Sequence, residues 1–169
     1  GNESVLNEEH NTLGFFSGVL GGQIVLAGGT SDDYSRWGRN AVCLSENAGF
    51  ALYEDVLSKP LAYGASITLS DGILCIGGRD SSQCYEDVFF VTMQQGKLNV
   101  SEDWPPLPFP LSNAAGALLD NKVYLFGGRK SVSPSRLSDS FFVLDLSNKS
   151  RGWKELPGYP GCVREDAIL

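Results

Sequence analysis

The chain has 169 residues, 42% of them apolar and 20% charged, with a net charge of −7 and a pI near 4.6. That is a globular composition with no block of Lys and Arg to hold a nucleic-acid backbone and no run of 18 apolar residues to span a membrane. The four cysteines (Cys43, Cys75, Cys84, Cys162) form no CxxC pair and His10 is the only histidine, so neither a structural zinc set nor the imidazoles that copper(II) favours is present, and no cofactor is implied. The chain opens Gly1-Asn2-Glu3 without Met or an apolar signal core, and compartment is not readable from that opening.

In chain order, a polar leader gives way to a strand of small residues at 17–20, a Gly21-Gly22 turn, and the apolar run Ile24-Val25-Leu26-Ala27, closed by Gly28-Gly29. A polar loop follows, then a weaker strand near 41–44 and a fourth that reaches Tyr53 before Lys59-Pro60. The pattern restarts at 64–67, turns at Asp71-Gly72, and continues through Ile73-Leu74-Cys75-Ile76 to Gly77-Gly78. The strand DVFFV (87–91) and the exit WPPLPFP from Trp104 complete this unit. A third unit runs through 115–118, the turn Asp120-Asn121, and Val123-Tyr124-Leu125-Phe126 to Gly127-Gly128, then DSFFV (139–143) and WKELPGYP from Trp153. The turn pairs suit the positive backbone angles of tight hairpins, the continuous apolar runs read as strands buried on both faces, and glycine is expected where each run ends and backbones approach closely. A tryptophan near the end of a fourth strand is an anchor between packed sheets. No helical stripe competes. The cysteines read as buried free thiols, with a Cys75–Cys84 disulfide as the alternative in an oxidising compartment.

The glycine pairs recur at intervals of 49 and 50 residues. Four strands, a period near 50, paired glycines and a late tryptophan together match the kelch repeat of β-propellers. The expected fold class is all-β: a kelch-type β-propeller segment of three four-stranded antiparallel blades, at roughly 13–57, 58–108 and 109–160, in a six-bladed ring. Residues 161–169 read as the start of a fourth repeat. Typical rings have about 4–8 blades, so the remaining blades are expected from the same longer protein or from another chain. Left alone, such a segment exposes apolar blade faces and sheet edges.

Three stretches narrow the resemblance. FFSGVLGGQIVLAGG (15–29) and PLAYGASITLSDGILCIGG (60–78) resemble the closing repeats of the N-acetylneuraminate (sialic acid) mutarotases, also called epimerases. WPPLPFPLSNAAGALLDNKVYLFGG (104–128), followed by PGYPGCVRED (157–166), resembles their opening repeat. Closing repeats before the opening one is the order of the cyclically permuted branch. The resemblance implies an isomerase that interconverts anomers of N-acetylneuraminate or a related sugar acid, in the bacterial periplasm or exported, with the cytoplasm as the alternative. Ser35-Arg36 stands where the family has a Ser-Arg pair, although Trp37-Gly38-Arg39-Asn40 departs from the pattern that follows it; Arg164 matches a family arginine. The family's acid–base glutamate lies in a later blade, so it is expected beyond Leu169 and the catalytic residues of this chain are unknown.

Mutarotation needs a base for the anomeric hydroxyl proton and an acid for the ring oxygen. A sugar acid also needs guanidinium groups for its carboxylate. Directly after the glycine pairs stand Thr30, Arg79 and Arg129, none a carboxylate. Arg36, Arg79, Arg129 and Arg164, with Arg39 nearby and Tyr63 as a lining residue, are the expected substrate-binding set at one end of the ring axis. Each has a structural alternative: Arg79 and Arg129 can bond blade carbonyls or pair with Asp80, Asp87 or Asp139, and Tyr63 can serve packing alone. Asp32-Asp33 and Glu165-Asp166 are acid–base candidates within the chain, with ordinary surface carboxylates as the favoured reading, and Asn2, Asn99 and Asn148 head N-x-Ser patterns. The competing function is a non-enzymatic kelch module that binds protein through Trp37 and the 130–138 loop, since propellers host many functions.

Overall fold

The computed structural model describes residues 11–158; His10, Cys162, Arg164 and the expected start of a fourth repeat lie outside the described residues. Three four-stranded antiparallel sheets follow one another along the chain. The first is β1 (Leu13–Leu20), β2 (Gln23–Thr30), β3 (Ala41–Ser45) and β4 (Gly49–Tyr53), paired in that order. The second is β5 (Ala65–Thr68), β6 (Ile73–Ile76), β7 (Val88–Gln94) and β8 (Lys97–Ser101). The third is β9 (Ala115–Leu119), β10 (Lys122–Phe126), β13 (Phe141–Asp145) and β14 (Lys154–Leu156), with the two-stranded hairpin β11 (Arg129–Ser131) and β12 (Arg136–Leu137) between β10 and β13. The all-β expectation and the four-stranded antiparallel blade both hold.

The period-2 alternation of a strand decides how the sheets stack. On the middle sheet, Ile73, Cys75, Phe89 and Val91 join one buried cluster with Phe16, Val25, Ala27 and Cys43 of the first. Leu74, Ile76 and Val88 turn the other way and join Val123, Leu125, Phe142 and Leu144 of the third. Phe16 meets Phe89 edge-on at 5.2 Å between ring centres. Each fully buried side chain of this size contributes roughly 1.5–3 kcal/mol.

The glycine pairs have a specific cause. A Cβ on Gly28 would lie 2.3 Å from the Leu61 carbonyl oxygen, and one on Gly77 would lie 2.2 Å from that of Leu111. Each stands in a left-handed backbone (φ 71° and 65°) that an L side chain disfavours. The next glycine then donates across to the neighbouring blade: Gly29 N–H to Leu61 O and Gly78 N–H to Leu111 O, both 2.8 Å.

Several details differ from expectation. Of the three apolar runs only β6 is buried throughout; Ile24 is 51% exposed and Tyr124 half-buried, because only the middle sheet has a neighbour on both faces among the described residues. β2 does not end at its glycine pair but runs through it, since β1 is long enough to pair Phe15 with Gly28 and Leu13 with Thr30. Trp153 precedes its fourth strand instead of closing it, because a short 3-10 helix (Leu146–Arg151) delays β14. Cys75 and Cys84 are buried free thiols, not a disulfide, and Cys43 is likewise free. Part of the 130–138 loop is the β11–β12 hairpin.

Candidate functional site

The first strands β1, β5 and β9 lie side by side along the common inner edge of the three sheets. At or just before their starts the blades are linked through the backbone. Tyr63 N–H donates to Gly14 O (2.8 Å) and Asn113 N–H donates to Tyr63 O (2.7 Å). All three residues are left-handed, with φ of 68°, 60° and 56°. The residues after the glycine pairs close the same end. Thr12 N–H reaches Thr30 O at 2.9 Å, Arg79 exchanges both backbone bonds with Ala62 (2.8 and 2.9 Å), and Arg129 does so with Ser112 (2.7 and 2.9 Å).

The loop after β2 is tightly built. The Thr30 hydroxyl donates to Arg36 O (2.7 Å), Arg36 N–H donates to Ser31 Oγ (3.0 Å), and Trp37 Nε1 donates to Tyr34 O (3.0 Å). Asp33 Oδ1 accepts from the hydroxyls of Ser31 and Ser35, each at 2.7 Å, and from Ser35 N–H. The Ser35 and Ser31 hydroxyls, reinforced by the Arg36 charge, hold the Asp33 carboxyl down at about 2. This loop sets Trp37 over the next blade: the Arg79 guanidinium carbon lies 5.2 Å from the Trp37 ring centre and 5.6 Å from that of Tyr63. Arg79 Nε is buried with no hydrogen-bond partner among the described residues.

Beyond Arg79, burial acts to raise the Asp80 carboxyl. Hydrogen bonds from the Tyr85 hydroxyl (2.6 Å), the Ser82 and Gln83 N–H groups and the Ser82 hydroxyl outweigh that and hold it at about 2. The same surroundings, burial first and the Asp80 hydrogen bond second, push the Tyr85 phenol up. Two of the three acid partners weighed for Arg79 are thus engaged elsewhere: Asp80 by this network and Asp87 by Lys59 at 3.0 Å. Arg79 instead has aromatic faces, which suit a planar guanidinium.

A Kelch motif family model matches residues 110–157. The structure superposes on the solved structure of YjhT with a TM-score of 0.72 over 90% of this chain and 57% of that one, at 11% identity, a likeness of fold alone. The chain has the fold of β-propeller blades and carries a Kelch motif. It is also similar to curated N-acetylneuraminate epimerases. It is 31% identical to that of Vibrio cholerae serotype O1 over 83 residues, 49% of this chain and 20% of the relative. It is 31% identical to that of Yersinia pestis (strain Pestoides F) over 68 residues, 40% and 16% respectively. It is 33% identical to that of Brucella suis over 74 residues, 44% and 17%. The matched stretches thus make up a fifth or less of these relatives.

Of the residues singled out in the sequence, the structure brings Arg79 and Tyr63 together. It puts exposed Arg36 on the loop that carries Trp37, and sets Arg129 one blade further along the same inner edge. Arg39 is engaged elsewhere: its Nε donates to Leu57 O at 2.8 Å and it pairs with Asp55 at 3.4 Å, on the segment leading into the second blade. Two clefts, of about 260 and 590 Å3, lie between neighbouring blades and include none of Arg36, Tyr63, Arg79 or Arg129. The sequence reading missed Trp37 as a partner of Arg79, and Asn113 entirely. Asn113 was findable, because Gly14, Tyr63 and Asn113 keep the 49- and 50-residue spacing of the glycine pairs.

Proposed function

We propose that the kelch chain carries the arginine-bearing part of a sugar-acid site, with N-acetylneuraminate as ligand and anomer interconversion as the reaction. The observation that carries this reading is Arg79, 5.2 Å and 5.6 Å from the Trp37 and Tyr63 ring centres at the inner edge, its buried Nε without a hydrogen-bond partner among the described residues. Similarity to proteins named N-acetylneuraminate epimerase supports the choice of sugar. A guanidinium set beside two aromatic rings binds a carboxylate strongly at its edge, and the rings offer apolar surface to a pyranose. Arg129 and Arg36 lie beside this centre and Arg164 is assigned to it by resemblance. The net charge of −7 repels an anionic sugar at long range, so local guanidinium groups must supply the attraction.

In this reading one group accepts the anomeric hydroxyl proton while another donates to the ring oxygen; the ring opens, a bond turns, and closure on the other face reverses both transfers. Asp33 and Asp80, both held near 2 by their own hydrogen bonds, are poor proton acceptors at neutral pH. The base is therefore assigned to a carboxylate beyond Leu169, and completion of the ring to further blades of a longer protein or of another chain. The test is proton NMR of freshly released α-N-acetylneuraminate with residues 1–169 and with the chain extended past Leu169. Faster anomer exchange than in buffer with the extended chain only, reduced there in Arg79→Met, is the expected result; acceleration by residues 1–169 alone would overturn the placement of the base. Sugar binding by the extended chain without exchange would leave the binding and remove the reaction. Binding unaffected by Arg36→Ala and Arg164→Ala would remove those two residues.

The alternative is a kelch module that binds protein through the Tyr34–Trp37 loop, where Tyr34 is half exposed and the rings lie 6.4 Å apart. Trp37 already serving Arg79 favours the sugar reading.

A further inference from the structure

The loop that sets Trp37 over Arg79 also carries a tyrosine that packing does not explain. Residues 31–34 form a turn closed by Tyr34 N–H donating to Ser31 O at 3.0 Å, and its last residue is left-handed, with φ of 59°. Glycine or asparagine is the ordinary occupant of such a position, and a bulky residue there is a genuine outlier. Burial does not offset the strain: Tyr34 is 50% exposed, and Trp37 is its one aromatic neighbour among the described residues. Its phenol has no hydrogen-bond partner among them. The neighbouring polar groups bond one another instead. Asp33 accepts from the Ser31 and Ser35 hydroxyls, Ser31 Oγ accepts from Arg36 N–H, and Tyr34 O accepts from Trp37 Nε1. The loop thus fixes a strained aromatic residue with half its surface in solvent, and strain held in this way concentrates at ligand sites.

The position of that residue says what it would meet. Arg79 lies 5.2 Å from the Trp37 ring centre, and the Tyr34 ring centre lies 6.4 Å from Trp37 with the planes 33° from parallel. The surface therefore runs from a guanidinium to a half-buried indole to an exposed phenol ring. A carboxylate on Arg79 puts the pyranose that bears it beside Trp37. The step on to Tyr34 is comparable to that between two linked pyranoses, and a phenol ring offers such a unit an apolar face and a polar tip. We propose that Tyr34 forms a second subsite, which takes the next sugar ring of a ligand whose acid ring is held at Arg79 and Trp37. This rests on the sugar-acid reading above and narrows its ligand class to an acidic oligosaccharide in preference to a single sugar acid. Anomer interconversion stays open to such a ligand when the ring at Arg79 keeps a free anomeric hydroxyl.

The test titrates the full chain with N-acetylneuraminate and, separately, with a disaccharide of two linked N-acetylneuraminate units, following the Trp37 indole N–H resonance, whose donor already bonds Tyr34 O. Wild type is expected to bind the disaccharide about tenfold more tightly, the worth of one further aromatic face. Tyr34→Gly, which keeps the left-handed backbone and removes the ring, is expected to abolish that preference and leave the single sugar unchanged. Tyr34→Asn, also at ease in a left-handed turn, is expected to do the same and carries the test if the glycine variant does not fold. A wild type without the preference would overturn the second subsite. So would a preference that survives in both variants, because the second carboxylate and not the ring would then be responsible. Equal loss of both ligands in the variants would reduce Tyr34 to a support for Trp37 and overturn it as well. Each of these outcomes leaves the Arg79 site standing. A wild type whose Trp37 resonance responds to neither ligand would overturn both readings.

Discussion

Gly77 and Tyr63 are both left-handed residues at blade junctions, and they mark opposite cases. Glycine at 77 is a steric necessity: a methyl group there would meet the Leu111 carbonyl at 2.2 Å, in a backbone that an L residue already disfavours by about 1–2 kcal/mol. Gly77→Ala is therefore expected to destabilise by about 3 kcal/mol or more in urea denaturation, whereas Gly96→Ala, left-handed but with open space around its Cβ, should cost only about 1 kcal/mol. Equal losses would show that φ alone, and not the carbonyl, makes glycine necessary. At 63 a tyrosine bears the same backbone penalty and gains a stack with Arg79. Asp33 and Asp80 give a pH prediction. Their folded values are depressed from 3.8 to about 2, so the stability they contribute is present above about 4 and lost as the pH falls towards 2. Carboxyl carbon shifts should titrate near 2; midpoints near 3.8 would show the serine and tyrosine hydrogen bonds to be absent in solution.

At the scale of single elements, strands with an internal signal were legible. The β5–β6 and β9–β10 hairpins follow from Asp71-Gly72 and Asp120-Asn121 between apolar runs, and DVFFV and DSFFV mark β7 and β13. What escaped was set by partners outside the segment. The length of β2 depends on how far β1 extends, and the 3-10 turn that displaces Trp153 begins at an Asp145 cap, whose side chain accepts from Ser147 N–H, with no apolar periodicity to announce it. Both tryptophans still knit the second and third blades. Trp104 lies 5.3 Å from the Phe90 ring with Lys149 Nζ 4.2 Å from its own ring centre, and Trp153 Nε1 donates to Pro105 O at 3.0 Å. Trp153→Phe removes only that hydrogen bond and is expected to cost about 1 kcal/mol, while Trp104→Ala should cost about 3–5 kcal/mol. A Trp153→Phe loss as large as that of Trp104→Ala would place the main anchor at the wrong tryptophan.

Among the described residues the three blades follow one another, with the middle one packed against both others, so burial and local stability peak in the middle. Leu74 and Ile73, 0% and 2% exposed, face opposite neighbours from adjacent positions of β6. The amides of β6 should exchange most slowly with deuterium and those of the edge strand β4 fastest; slower exchange in β2 or β10 than in β6 would contradict the three-layer order. The repeat, the sheet order and the inner placement of Arg79 were legible because a 49- to 50-residue period repeats every element in register. The Trp37–Arg79–Tyr63 grouping was not, since it joins a loop of one blade to the strand ends of the next, and nothing in the local sequence around Trp37 specifies that partner. The central claim is that this grouping binds a sugar acid. Its most direct test is the Trp37 indole N–H resonance during titration with N-acetylneuraminate, in wild type and in Arg79→Met, which keeps the aromatic packing and removes the charge. A saturable shift in wild type that disappears in Arg79→Met is the predicted result; no shift in wild type, or the same shift in both proteins, would contradict it.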